Sequence, residues 1–189
     1  MRGTLFVRVP FPMLWKGRGS NLEKRDCRAN CARNDRALMD NHRIEVWYRK
    51  GVFDPGSQGL CSDILDLGIK GITAVETGSI FLIKGKISRA GLKKVAQELL
   101  SDPITQEFYS GKRALSKGAV SVEVWFKEGV TDTVGETARK GIADLGISGE
   151  FAVSTAKRYL LYSKNISEKK AADIADRLLA NEVIQTYKI

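Results

Sequence analysis

The residues that could do chemistry are few and scattered. Cys27 and Cys31 form a C-x3-C pair, but a zinc site needs four ligands. The single histidine, His42, lies beyond that segment, and there is no second cysteine pair to complete a tetrahedron. No metal site is therefore expected. Cys61 falls on an apolar helical stripe and reads as a small buried hydrophobe. Asp54 and Asp132 each precede a helical stretch, where a carboxylate that satisfies free amides is a better account than an acid catalyst. Ser88 and Ser167 read as caps in the same way, and His42, at a strand entrance, reads as a surface residue. The chain has no G-x-S-x-G, Walker, HExxH or GxGxxG motif. Catalytic, cofactor and metal sites are all expected to be absent from this chain.

The elements that would position such residues are written twice. IEVWYRKGVFD at 44–54 returns as VEVWFKEGVTD at 122–132, an offset of 78 residues. That offset also pairs Leu67-Gly68-Ile69 with Leu145-Gly146-Ile147 and Thr77 with Thr155. After one inserted residue near Asn165 it becomes 79, pairing Leu99-Leu100 with Leu178-Leu179 and Gln106 with Gln185. Repetition over this length marks whole structural units. The expected organisation is repeat 1 at 40–110, a polar linker at 111–118, and repeat 2 at 119–189.

Each copy has the same pattern. IEVWYR and VEVWFK alternate apolar and polar residues as a strand does. Asp54-Pro55 offers an N-cap and an N1 proline, and Thr133-x-x-Glu136 a capping box. Leu60, Ile64 and Leu67 form a stripe that Gly68 ends. Ile72–Thr77 and Ile80–Lys84 read as two strands joined by a hairpin at Gly78-Ser79. Ser88 opens a second helix that stops at Asp102-Pro103, and a last strand follows. The fold class is α+β, with two tandem βαββαβ (ferredoxin-like) units. With both helices on one sheet face, Trp47 and Trp125 point outward on the other. Those outer faces are expected to be buried against each other in a pseudo-twofold dimer, which makes Trp47 and Trp125 its interface.

Charge bears on partners. The formal net charge is +9, but residues 1–38 carry nine Lys/Arg against three acids, leaving the rest of the chain near balance. This argues against a nucleic-acid partner. The 1–38 segment lacks sustained periodicity and reads as a disordered basic extension, or as an upstream artefact if translation starts at Met39. No run of about 18 apolar residues is present to span a membrane. Sparse, unpaired cysteines fit a reducing compartment, so the cytoplasm is expected.

The run G-V-x-D-P, an apolar helix, L-G, V-x-x-G and a helix ending L-L-x-D-P-x-x-Q resembles the PurS family, the small subunit of phosphoribosylformylglycinamidine synthase. The first copy carries it on Gly51, Val52, Asp54, Pro55, Leu67, Gly68, Val75 and Gly78, and the second on Gly129, Val130, Asp132, Gly135, Leu145, Gly146, Val153 and Lys157. The likeness is greatest to the doubled PurS-like region that opens some fused large subunits, and the chain reads either as a complete subunit or as the amino-terminal fragment of such a subunit. Copy one departs at Ser57, Glu76 and Ser79, and copy two at Thr133. The resemblance implies a non-catalytic bridge between a glutaminase and an ATP-dependent synthetase, with ATP and magnesium on the synthetase. The chain would then be one component of a carbon–nitrogen ligase complex. Partner contacts would fall on the loops after the first strands (Gly51, Asp54, Pro55, Gly129, Asp132) and on the hairpins (Lys157, Arg158).

Two other readings compete. Asp54-Pro55-Gly56 resembles the loop of a tandem ACT-like regulatory module, though Asp132-Thr133-Val134 lacks it. An RNA-binding sheet of the RRM kind would need more aromatics than Phe81 or Tyr159 on its central strands.

Overall fold

A computed structural model describes residues 40–189. Cys27, Cys31 and the extension at 1–38 lie outside the described residues. The described residues form one compact unit.

Repeat 1 runs β1 (Asn41–Tyr48), α1 (Pro55–Asp66), β2 (Ile72–Lys84), α2 (Arg89–Val95) and β3 (Gln106–Ser110). Repeat 2 runs β4 (Ala119–Phe126), α3 (Thr133–Asp144), β5 (Ala152–Ser163), α4 (Glu168–Ile174) and β6 (Gln185–Lys188). Asp54 caps α1 with Pro55 at its first position, as the sequence predicts. In repeat 2 the cap is Asp132, one residue before the expected Thr133, because its carboxylate reaches the amide of Gly135. Ser88 and Ser167 cap α2 and α4.

The hairpin expected at Gly78-Ser79 is absent, since β2 is one continuous 13-residue strand. Glycine serves here by its lack of a side chain. Gly78 lies opposite Trp47 on β1, and a Cβ on it would stand 2.6 Å from two indole carbons. β5 is continuous in the same way over 12 residues. The two central strands expected of each βαββαβ unit are thus fused into one long strand.

Those long strands decide how the copies join. β2 and β5 pair antiparallel, giving one six-stranded sheet in the order β3-β1-β2-β5-β4-β6. The pseudo-twofold arrangement is present, but by edge pairing; the expected burial of two sheet faces against each other does not occur. Ser79 faces Lys157, its own counterpart in the other copy, so the pseudo-axis passes between them.

Pairing along such long strands also mixes the cores. One core joins Ile64 of α1 and Val75 of β2 to Val122, Val124, Leu161, Ile174 and Leu179 of repeat 2. The other joins Ile44, Val46, Phe81, Ile83 and Val95 of repeat 1 to Ala138, Ile142 and Val153 of repeat 2. Each repeat's first helix therefore covers apolar surface belonging to its twin.

Candidate functional site

The sheet face without helices carries a buried charged cluster at the pseudo-axis. Alternation along β1 sends Ile44 and Val46 to the helices and leaves Arg43, Glu45 and Trp47 on the other side. Glu45 and Arg158 are both 0% exposed, and Arg158 Nη1 donates to Glu45 Oε2 at 2.7 Å. Arg158 Nε donates to Ser121 Oγ at 2.9 Å. Arg43 donates to Glu45 at 2.7 Å and through two nitrogens to Glu123 at 2.8 and 3.2 Å. The linker crosses this face. Arg113 donates its backbone amide to Glu45, accepts from Arg158 at its carbonyl, and stacks its guanidinium 4.7 Å from the Trp47 ring.

The cluster breaks the internal symmetry. Glu45 and Glu123 are counterparts, but Arg43 corresponds to Ser121 and Arg158 to Ile80. Each copy supplies one arginine, and Ser121 is the small acceptor that makes room for the guanidinium of Arg158, from its own copy. Lys157 donates to Ser79 at 3.0 Å. Two copies of repeat 2 paired in this register would set two lysines directly opposite, a destabilising cross-strand pair. The cluster thus favours pairing unlike copies.

At the two ends of the sheet the loops after β1 and β4 frame equivalent cavities. The first, about 640 Å³, is lined by Trp47, Lys50, Gly51, Asp54, Thr77 and Arg113 among others. The second, about 540 Å³, is lined by Trp125, Lys127, Gly129, Asp132 and Thr155 among others. Gly51 and Gly129 both take φ of +84°, a conformation that favours glycine. Asp54 accepts from the amides of Gly56 and Ser57 and from the hydroxyls of Ser57 and Thr77. Asp132 accepts from Gly135 N and from the amide and hydroxyl of Thr155. Each aspartate ties a helix start to the adjacent long strand, a structural role that its recurrence in both copies reflects.

Burial by itself would raise the Asp54 pKa, but hydrogen bonds from Ser57, Thr77 and the local amides outweigh it and hold the carboxyl below its ordinary 3.8. Burial likewise would raise the Glu123 pKa, but hydrogen bonds and charge from Arg43 and Lys112 outweigh it and hold the carboxyl below its ordinary 4.5. Carboxyls with depressed folded-state pKa values stabilise the fold above their unfolded pKa and lose that contribution as pH falls through the folded value. Stability measured by urea unfolding is therefore expected to fall steadily from about pH 5 downward. Glu123→Gln should flatten that slope, and an unchanged slope would contradict the assignment.

The residues singled out from sequence separate into groups. Gly51, Asp54, Pro55, Gly129 and Asp132 sit together at the loop ends. Lys157 lies at the pseudo-axis, on the helix side of β5. Arg158 is wholly buried and engaged internally, so the expected partner contact at that residue is replaced by a role inside the pairing. Trp47 is 1% exposed beneath the linker and lies near the other copy's Arg158, at 5.7 Å. Trp125, opposite Ala156 where Trp47 has Gly78, is only half-buried. Sequence reasoning missed Arg43, Glu45, Arg113 and Glu123. The repeated Glu-x-Trp, with arginine exchanged between copies at positions 43 and 158, was the available signal.

Residues 41–111 and again 119–189 match the PurS family, described as phosphoribosylformylglycinamidine (FGAM) synthase. A 72-residue stretch is 38% identical to the phosphoribosylformylglycinamidine synthase subunit PurS of Archaeoglobus fulgidus, covering 36% of this chain and 90% of that protein. With two matched segments, each a βαβαβ run and together closing one sheet, this chain belongs to the PurS family and carries its unit twice.

Proposed function

We propose that this chain is a non-catalytic bridging component of phosphoribosylformylglycinamidine synthase in purine biosynthesis. It holds a glutaminase and an ATP-dependent synthetase together so that ammonia released from glutamine passes to the synthetase. ATP and magnesium belong to the synthetase, and the site of action is the cytoplasm. The observation that carries this reading is the double family match folded into one rigid sheet, a pair of units already assembled within a single chain. The covalent pairing makes assembly independent of the chain's concentration, and the loop ends around Asp54 and Asp132 stay open for contact.

The test is reconstitution with the glutaminase and synthetase of the same organism. Glutamine-dependent turnover is expected to require this chain, while turnover on ammonium salt should proceed without it. Equal glutamine-dependent rates with and without the chain would sink the proposal.

The cavities at the two loops favour one alternative, an ACT-like module binding an amino acid. Calorimetric titration with the common amino acids separates the two, since the bridging reading expects no heat of binding at micromolar concentrations.

A further inference from the structure

The two loop cavities occupy equivalent places but have diverged in what surrounds them. On the helix-free face of the first half, Tyr162 Oη donates to Glu76 Oε1 at 2.9 Å and Tyr109 Oη to Glu107 Oε1 at 2.8 Å. The chain fills that acidic, aromatic setting with a cation of its own. Arg113 donates to Glu76 at 2.7 Å and lies 4.7 Å from the Trp47 ring and 5.6 Å from that of Tyr109.

The repeat offset carries both tyrosine–glutamate pairs to the second cavity, where both have changed. Tyr162 and Glu76 correspond to Lys84 and Ser154, and Tyr109 and Glu107 to Lys188 and Thr186. All four of these counterparts line the second cavity. Their chain neighbours Ile83, Val153 and Tyr187 pack into the cores under the helices, so alternation puts the four on the helix-free face. Two carboxylates are lost and two ammonium groups gained between equivalent places, a reversal of sign.

The acids that line the second cavity do little to offset this. Asp132 spends its carboxylate on Gly135 and Thr155, and Glu128 is exposed on the loop. Trp125 lines the same cavity, and its indole N–H is buried without an acceptor, whereas that of Trp47 donates to Glu45 at 3.1 Å. Two lysines at one recess repel each other, a cost that a bound anion reverses.

We propose that the second cavity binds the phosphate group of a small phosphorylated molecule. A phosphate monoester dianion balances the two lysines, and its terminal oxygens accept from ammonium and hydroxyl donors together. Lysine serves such a group as a point charge, without the fixed fork that arginine presents to a carboxylate. The recess of about 540 Å³ has room for an organic body as well as the phosphate. This site goes beyond the bridging function and does not depend on it.

The test titrates glycerol 3-phosphate, inorganic phosphate and acetate into the full chain at constant ionic strength, with heat and tryptophan fluorescence as readouts. Glycerol 3-phosphate is expected to bind with a Kd below about 1 mM, more tightly than inorganic phosphate, with acetate inert. Trp125→Phe should remove the fluorescence change and keep the heat. Lys84→Gln and Lys188→Gln should each weaken binding by about 10-fold, with Tm as in the parent because both side chains are exposed. Lys157→Gln, on the opposite face of the sheet, should bind as the parent does. Absence of saturable binding by the parent chain would overturn the site, as would parent-like binding when Lys84 and Lys188 are both replaced. Acetate binding as tightly as the phosphates would overturn the choice of phosphate. Inorganic phosphate binding as tightly as glycerol 3-phosphate would overturn the organic ligand in favour of the free ion. The bridging reconstitution is read separately, so each proposal can fail alone.

Discussion

Arg158→Ala is expected to destabilise the protein by about 3–5 kcal/mol, read as a lower denaturant midpoint. The arginine contributes three hydrogen bonds at the centre of the pairing, to Glu45, to Ser121 and to the linker carbonyl of Arg113. Its removal leaves Glu45 fully buried beside a cavity. Arg43, the remaining cation on Glu45, is shared with Glu123. Arg158→Met paired with Glu45→Gln should recover part of the loss, because an uncompensated charge costs more than a missing ion pair. Arg43→Ala, at a partly exposed position, should cost less than Arg158→Ala. A loss below about 1 kcal/mol for Arg158→Ala would mean that the cluster does not hold the copies together.

Gly78→Ala is expected to cost about 1–3 kcal/mol despite adding a single methyl group, because the new carbon overlaps the Trp47 indole and both long strands are fixed by pairing. Neighbouring substitutions of this kind couple, so Trp47→Leu should absorb the added methyl in the double variant. The second copy shows the same trade in natural form, with Ala156 opposite a tryptophan that is only half-buried. The double variant should be more stable than the sum of the two single changes predicts. Strict additivity would show that Trp47 and Gly78 do not share the space the structure assigns them.

Local chemistry was the part of the fold most readable from sequence. Asp54-Pro55, Ser88 and the Leu60/Ile64/Leu67 stripe each act over one turn, and each appears where it was expected. Gly78-Ser79 misled because a Gly-Ser pair between two apolar runs has the composition of a hairpin, while the reason for the glycine lies on another strand. Once that turn is taken as strand, β2 becomes long enough to pair with β5, and the edge-joined sheet and shared cores follow. The buried cluster was hidden by the same error. Glu45 and Arg158 are 113 residues apart, and only the register of β2 against β5 brings them together. The end of the second helix at Asp102-Pro103 illustrates the opposite case, a local stop that was legible because it acts within one turn.

Amide hydrogen exchange across the six strands tests the joining of the two copies into one sheet most directly. Amides of β2 and β5 around Ser79 and Lys157 are expected to be among the slowest in the protein and to open together, with β3 and β6 exchanging faster as the outer edges. Rapid exchange at alternate residues of β2 and β5, the mark of two unpaired strand edges, would contradict the single sheet and the shared cores built on it.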